Sequence, residues 1–486
     1  MSRDRQLKKV SGTLESSENR GRKPTPESSR HVFQPRRDFL NRAAQGIGSL
    51  AFATLFGQRA AADPEGLQPK AKRVLWLYMD GGISHLDSFD PKPRLTKDHG
   101  QRFPMKIEAT QFDSNGPVLK SPWNFHQHGQ SGLWISELFP KLSVHADRLA
   151  VIRSMTNENA IHATANYWMH TGWGQMGRPG IGAWINYGLG SEADDLPGFV
   201  VLNSGLLPIG GIDNYKSGFL PASYGPIVFE RNDPMVPNLH PADASRQARQ
   251  LAAIADFDRS FSNRLGLPDA VESGIRNYEL AARLQTSVPG LLDLSQETAE
   301  TQRLYGMEDD FEHTRTYARQ CLLARRLLER GVRFVTITMP RVHNDNRWDA
   351  HGDLQKNHSE NARTVDQPIA ALMSDLAERG LLDDVLVVFT TEFGRTPFTQ
   401  GSDGRDHNQY GFSVWLAGAG VKGGMTYGAT DEFGYKAVEN KLLVHDLHAT
   451  ILHLLGVNHE ELTYRFGGRD YRLTDVHGTV IRDILT

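Results

Sequence analysis

Six near-continuous apolar runs punctuate the chain, and most of them stop abruptly on a polar or glycine-rich segment. They are Arg73–Met79, Leu149–Arg153, Phe199–Asn203, Val332–Thr338, Val385–Thr391 and Phe412–Ala417. A strand that is apolar on both sides is one covered by helices on both sides, so the pattern predicts a mostly parallel sheet. Between these runs the spacing changes to a helical period. Arg249–Arg264, Tyr317–Arg330, Ser359–Arg379 and His445–Leu455 carry apolar residues three and four positions apart. The stretch from about 240 to 330, rich in Ala, Arg, Leu, Gln and Glu, reads as a helical insertion on an α/β core. The sequence has no internal repeat and no apolar run long enough to cross a bilayer.

The ends of the apolar runs carry the candidate chemistry, as expected where loops leave the carboxyl edge of a parallel sheet. Asp80, Gly81, Gly82, Ser84, His85, Asp87 and Asp90 follow the first run. Between His343 and His358 the chain holds three histidines (His343, His351, His358) and three aspartates (Asp345, Asp349, Asp353). Glu392 closes the run Val385–Thr391, and Gly404–Asn408 brings Asp406 and His407 in what reads as a glycine-flanked loop. Any one of these clusters is compatible with a solvated loop. Imidazole and carboxylate recurring at four strand ends point instead to a divalent metal, of the Zn, Mn or Fe type rather than an all-oxygen Ca cage. A metal-dependent hydrolase of an anionic substrate is the chemistry that such a rim supplies.

Charge adds a division that the total conceals. The net charge of -3 combines residues 1–62, with 12 basic and 5 acidic residues, and the remainder, with 42 and 52. An acidic folded part, at net -10, argues against a nucleic-acid groove. The first 35 residues are too poor in apolar groups to fold. Pro35-Arg36-Arg37-Asp38-Phe39-Leu40 then resembles a twin-arginine export signal, followed by the mild apolar stretch Ala43–Phe56 and by Ala60-Ala61-Ala62 as a cleavage site. Residues 1–62 are therefore expected to be a cleaved leader. The domain spans 63–486, with a periplasmic or extracytoplasmic destination and no stable membrane span after cleavage. Cys321, the lone cysteine, sits in a helical pattern and excludes both an internal disulfide and a cysteine metal site.

The segments MDGGISHLDSFDPKP (Met79–Pro93), WDAHGD (Trp348–Asp353), TTEFGRTP (Thr390–Pro397) and GRDHNQYGFSVWLAGAGVKGG (Gly404–Gly424) resemble domain-of-unknown-function family 1501 (DUF1501). So do Gly428–Gly456 and Tyr464–Gly478, so the likeness covers the chain beyond the leader. That family belongs to the sulfatase-like branch of the alkaline phosphatase superfamily. The resemblance implies a three-layer α/β sandwich with a mostly parallel central sheet. It also implies one or more divalent metal ions, with Zn, Mn, Mg and Ca all open. Asp80, Asp349, His351, Glu392 and His407 stand where metal ligands are expected. Phe393 occupies the place of a ligand histidine, and His85, His343 or His358 are the candidates to replace it.

The same resemblance leaves the nucleophile open. No C/S-x-P-x-R motif is present, so a formylglycine sulfatase is not expected. Counting back from Thr171-Gly172 brings His162 near the nucleophile position. His162 could attack, bind metal or act as base, or be a structural residue of the helix that follows; Ser84 and Thr164 are further candidates, and metal-bound hydroxide is the favoured attacking group. The expected activity is hydrolysis of a sulfate or phosphate ester, on a small molecule or a polysaccharide. The competing expectation is a catalytically degenerate relative that binds an anionic ligand or a partner at the cell surface.

Overall fold

The first apolar run becomes the centre of a nine-stranded sheet. The computed structural model describes residues 67–110, 114–237, 239, 243–265, 269–342 and 347–486. The expected leader and the candidate His343 lie outside the described residues. Twelve strands matter for the site. They are β1 (Arg73–Tyr78), β2 (Asn115–Val118), β3 (Ala150–Thr156), β4 (Phe199–Leu202), β5 (Ile227–Phe229) and β6 (Phe334–Ile337) in the first part of the chain. The second part adds β7 (Val385–Thr390), β8 (Gly394–Gln400), β9 (Gly404–Asn408), β10 (Phe412–Ala417), β11 (Met425–Tyr427) and β12 (Leu442–Leu443).

The main sheet runs β11-β3-β10-β7-β1-β6-β4-β5, with β12 also against β3. Every pairing in it is parallel except those of β10, which lies antiparallel to both β7 and β3. Successive side chains of β1 enter opposite cores, as the two-residue period of a strand requires. Leu75, Leu77 and Met79 pack with the helices Glu312–Glu329 and Leu354–Glu378. Val74, Trp76 and Tyr78 pack with the helices His162–Thr171, Ile181–Leu189 and Val444–Leu454. The protein is thus a mixed α/β fold with helices on both faces of a mostly parallel sheet.

Two segments differ from their sequence reading. Between β5 and β6 lie the helices Ala244–Leu265, Asp269–Leu292, Ala299–Tyr305 and Glu312–Glu329. The last is a layer of the main core, with Tyr317, Cys321, Leu322 and Leu327 fully buried. Gly404–Asn408, expected as a loop, is strand β9 of a separate antiparallel sheet ordered β9-β8-β2. Its polar sequence hides a strand because all five residues are buried and most of their polar groups are met by other protein groups.

The strongest of these contacts is a fully buried ion pair that ties β9 to the turn after β1. Arg405 donates through Nε to Asp87 Oδ2 at 2.8 Å and through Nη2 to Oδ1 at 3.2 Å. Its remaining N–H groups reach Thr396 O and Leu119 O, and neither partner side chain is exposed. Removing one member of such a pair strands a charge in the core. Arg405→Met is therefore expected to lower the unfolding free energy by about 3–5 kcal/mol. A urea titration that shows a loss below about 1 kcal/mol would contradict this role.

Candidate metal centre

The parallel strands β1, β6 and β7 release their chains at one edge of the sheet, and three carboxylates follow there. Asp80 comes two residues after β1, Glu392 two residues after β7, and Asp349 in the segment that follows β6. Gly81 and Gly82 make their meeting possible. Both have positive φ, 108° and 72°, a region that side chains rarely enter. A Cβ on Gly81 would lie 2.7 Å from Trp348 N and from Arg347 Cβ, and one on Gly82 would lie 2.7 Å from the Phe393 ring. The glycines therefore let the segment Arg347–Asp349 and Phe393 close over the end of β1.

Asp80 is buried, 1% exposed. Its Oδ1 accepts from Asn166 Nδ2 at 3.3 Å, and its Oδ2 lies 2.8 Å from Arg347 Nε, charged but out of line for a hydrogen bond. Glu392 Oε1 accepts from Gly81 N at 2.9 Å and from His162 Nδ1 at 2.6 Å. His162 opens the helix His162–Thr171, and Asn166, one turn later, shares its face. One helix face thus presents an imidazole to Glu392 and an amide to Asp80. The other ring nitrogen, His162 Nε2, is 3.3 Å from Asp349 Oδ2 without hydrogen-bond alignment.

Asp349 gathers the rest. Its Oδ1 lies 2.6 Å from Arg395 Nη2, 2.9 Å from His351 Nε2 and 3.1 Å from His407 Nε2. His407 Nδ1 donates to Ala160 O at 2.6 Å, and His351 Nδ1 is hydrogen-bonded to Gln400 Oε1. Both bonds place the donor proton on Nδ1, so the nitrogen left to act as a metal ligand in either ring is Nε2. Asp406, buried at 1%, leaves Oδ2 without a partner. Two sets of three ligand atoms, His162–Asp349–His407 and His351–Asp406–His407, each fall within 4.8 Å of one another and meet at His407.

Protonation separates the two sets. Burial pushes the His162 pKa down, but the close carboxylates of Asp349 and Glu392 outweigh it and raise it to about 9. For His407, burial together with the charges of Arg395 and His162 lowers it to about 3. Burial also works against ionisation of Asp349, yet the Arg395 guanidinium beside it holds it well below the ordinary carboxylate range. Burial and the Glu392 charge push Asp80 up to about 7. His162 is thus a cation at neutral pH and His407 a neutral base. The Nε2 atoms of His351 and His407 both lie about 3 Å from Asp349 Oδ1, so a cation bound there would be shared by two nitrogens and a carboxylate. The His351–Asp406–His407 set fits a metal, with each histidine held by a hydrogen bond at its other nitrogen and three protein ligands leaving a position open.

The model of the family described as "Protein of unknown function (DUF1501)" matches residues 71–485. The chain belongs to the DUF1501 family. No curated protein matches it. Among solved structures it is similar to a lipoteichoic acid synthase from Listeria monocytogenes, at 11% identity and a TM-score of 0.34 over 85% of this chain and 76% of that one. It is also similar to a protein in the alkaline phosphatase superfamily from Vibrio parahaemolyticus, at 9% identity and TM-score 0.37, covering 81% and 71%. A phosphonate monoester hydrolase from Silicibacter pomeroyi overlaps 71% of each chain at 15% identity and TM-score 0.30. These overlaps are too loose to carry any residue's role to this DUF1501 chain.

Several residues singled out in the sequence fall outside the cluster of this DUF1501 protein. His85 Nε2 is hydrogen-bonded to Gly434 O at 2.8 Å, away from both ligand sets. His358 spends its Nε2 lone pair on Ser84 N at 3.1 Å, so it has none for a metal. The Ser84 hydroxyl is fully buried and donates to Asp87 Oδ2, within the structural pair described above. Thr164 follows His162 by two helical residues, about 200° around the axis, with its methyl group beside Gly174. Neither hydroxyl is presented to the cluster. Conversely, Asp406 was noted only within its segment and not as an expected ligand, and Arg347, Arg395 and Asn166 were not singled out. Asp406 had a visible signal, its place directly before His407; the two arginines had none, since their carboxylate partners are distant in sequence.

The His162 pair fixes a pH dependence. Its folded pKa, about 9, lies above the unfolded value of about 6.5. Its contribution is complete below about pH 6.5 and is lost as pH rises through 9, a loss of about 3 kcal/mol. Melting of the metal-free protein is expected to fall over that window, and His162→Gln is expected to flatten it. An unchanged slope in His162→Gln would assign it to other groups.

Proposed function

We propose that this protein hydrolyses sulfate or phosphate esters, of small molecules or polysaccharides, at a centre that binds a divalent metal ion. His351, Asp406 and His407 would hold the ion, with Asp349 beside them. One observation carries the reading: two imidazole Nε2 atoms converge on Asp349 Oδ1, next to a buried carboxylate oxygen of Asp406 that has no partner. Two nitrogen ligands and a carboxylate suit Zn or Mn better than Ca. When bound, the ion supplies positive charge to neutralise and polarise the ester.

The protein's own groups do the remainder. Glu392 orients the His162 ring from 2.6 Å, and His162 Nε2 has no aligned acceptor. A protonated imidazole so held is a proton donor for a departing oxygen. Arg395 positions Asp349, since its own N–H groups are anchored on Gly81 O, Gly82 O and Arg405 O. Residues 1–62 we read as the export leader that delivers the domain to the periplasm. Among the described residues no helix is long and apolar enough to cross a membrane.

A second reading, binding of an anion without turnover, is favoured by the arginines that already lie against Asp80 and Asp349. Turnover separates the two. Purified protein reconstituted with Zn²⁺ or Mn²⁺ is expected to retain the ion through desalting and to hydrolyse p-nitrophenyl sulfate or phosphate. Asp406→Asn and His407→Ala are expected to reduce both metal content and rate, the rate by at least about 100-fold. Less than a tenth of an equivalent of metal, or a rate indifferent to both substitutions, would sink the proposal.

A further inference from the structure

Asp80 and Glu392 form a second carboxylate pair beside the proposed centre, and each already has a cation. Arg347 Nε lies 2.8 Å from Asp80 Oδ2, and His162 Nδ1 lies 2.6 Å from Glu392 Oε1. Arg347 is held in place from several sides. Its Nη2 donates to Leu207 O at 2.9 Å, and its own carbonyl accepts from Asn357 Nδ2 at 2.8 Å and Asn361 Nδ2 at 3.0 Å. The bare Cα of Gly81 is what gives its Cβ room. A guanidinium anchored in this way is a permanent positive charge that cannot lose its proton.

We propose that Arg347 is a built-in cation that takes the place of a second metal ion at Asp80 and Glu392, so that the protein binds one metal ion and not two. The proposal rests on the metal reading of the His351–Asp406–His407 set. It assigns Asp80 a role opposite to the one its position after β1 suggests: Asp80 holds an arginine, and the ion binds on the other side of Asp349. The arrangement sets a fixed positive charge against the Asp80 carboxylate without metal.

Metal stoichiometry of the intact protein tests this directly. After saturation with Zn²⁺ or Mn²⁺ and removal of free ion, elemental analysis is expected to return one equivalent for the wild type and one for Asp80→Asn. Arg347→Ala, which leaves Asp80 beside Glu392 without its cation, is expected to rise toward two. Two equivalents in the wild type, loss of the ion in Asp80→Asn, or an Arg347→Ala protein that folds yet stays at one equivalent would each overturn the assignment. If Arg347→Ala fails to fold, the wild-type and Asp80→Asn values still decide. Zero equivalents in the wild type would instead contradict the metal reading beneath it.

Discussion

Burying a carboxylate away from water requires a cation or a set of N–H donors close by, because an isolated buried charge costs far more than any single contact returns. This chain gathers five acidic residues, Asp80, Asp87, Asp349, Glu392 and Asp406, around one edge of its sheet, and all but Asp349 are almost wholly enclosed. Four of them have a cation within reach: Arg347 for Asp80, Arg405 for Asp87, Arg395 for Asp349 and His162 for Glu392. Asp406 differs. One oxygen accepts from His407 N at 2.8 Å, and the other has no partner. The place where compensation is incomplete is also the place where two imidazole lone pairs converge.

The matching of acids to cations also explains how the layers hold the site. Arg405 comes from β9 and Asp87 from the turn after β1, so the small sheet is locked to the large one by a buried charge pair. Arg395, on β8, reaches back to the carbonyls of Gly81 and Gly82 and forward to Asp349. The same side chain therefore sets the turn after β1 and the orientation of a site carboxylate. The helix His162–Thr171 contributes from the other side of the sheet through His162 and Asn166. Three separate layers converge on one rim, and each is fixed there by charge.

The strands were legible because both-sided burial leaves a continuous apolar signature. Arg73–Met79, Val385–Thr391 and Phe412–Ala417 correspond to β1, β7 and β10 within one residue at either end. β9 was not legible, since Gly-Arg-Asp-His-Asn has no apolar residue and only its partners reveal that it is buried. The acids and histidines at strand ends were visible as residue types. Which of them meet was not. His358 and His85 are as histidine-like in sequence as His351 and His407; what separates them is a lone pair given to Ser84 N in the first case and a place outside both ligand sets in the second. Arg347 and Arg395 neighbour their carboxylates only in space, and pairing at such range leaves no local pattern to read.

An anomalous-difference map from crystals grown with Mn²⁺ or Zn²⁺ tests the central claim, that an ion sits where His407 and its neighbours converge. One strong peak is expected about 2.0–2.3 Å from His407 Nε2, His351 Nε2 and an Asp406 oxygen, with Arg347 still on Asp80. A peak between Asp80 and Glu392, or no peak at this edge of the sheet, would contradict it.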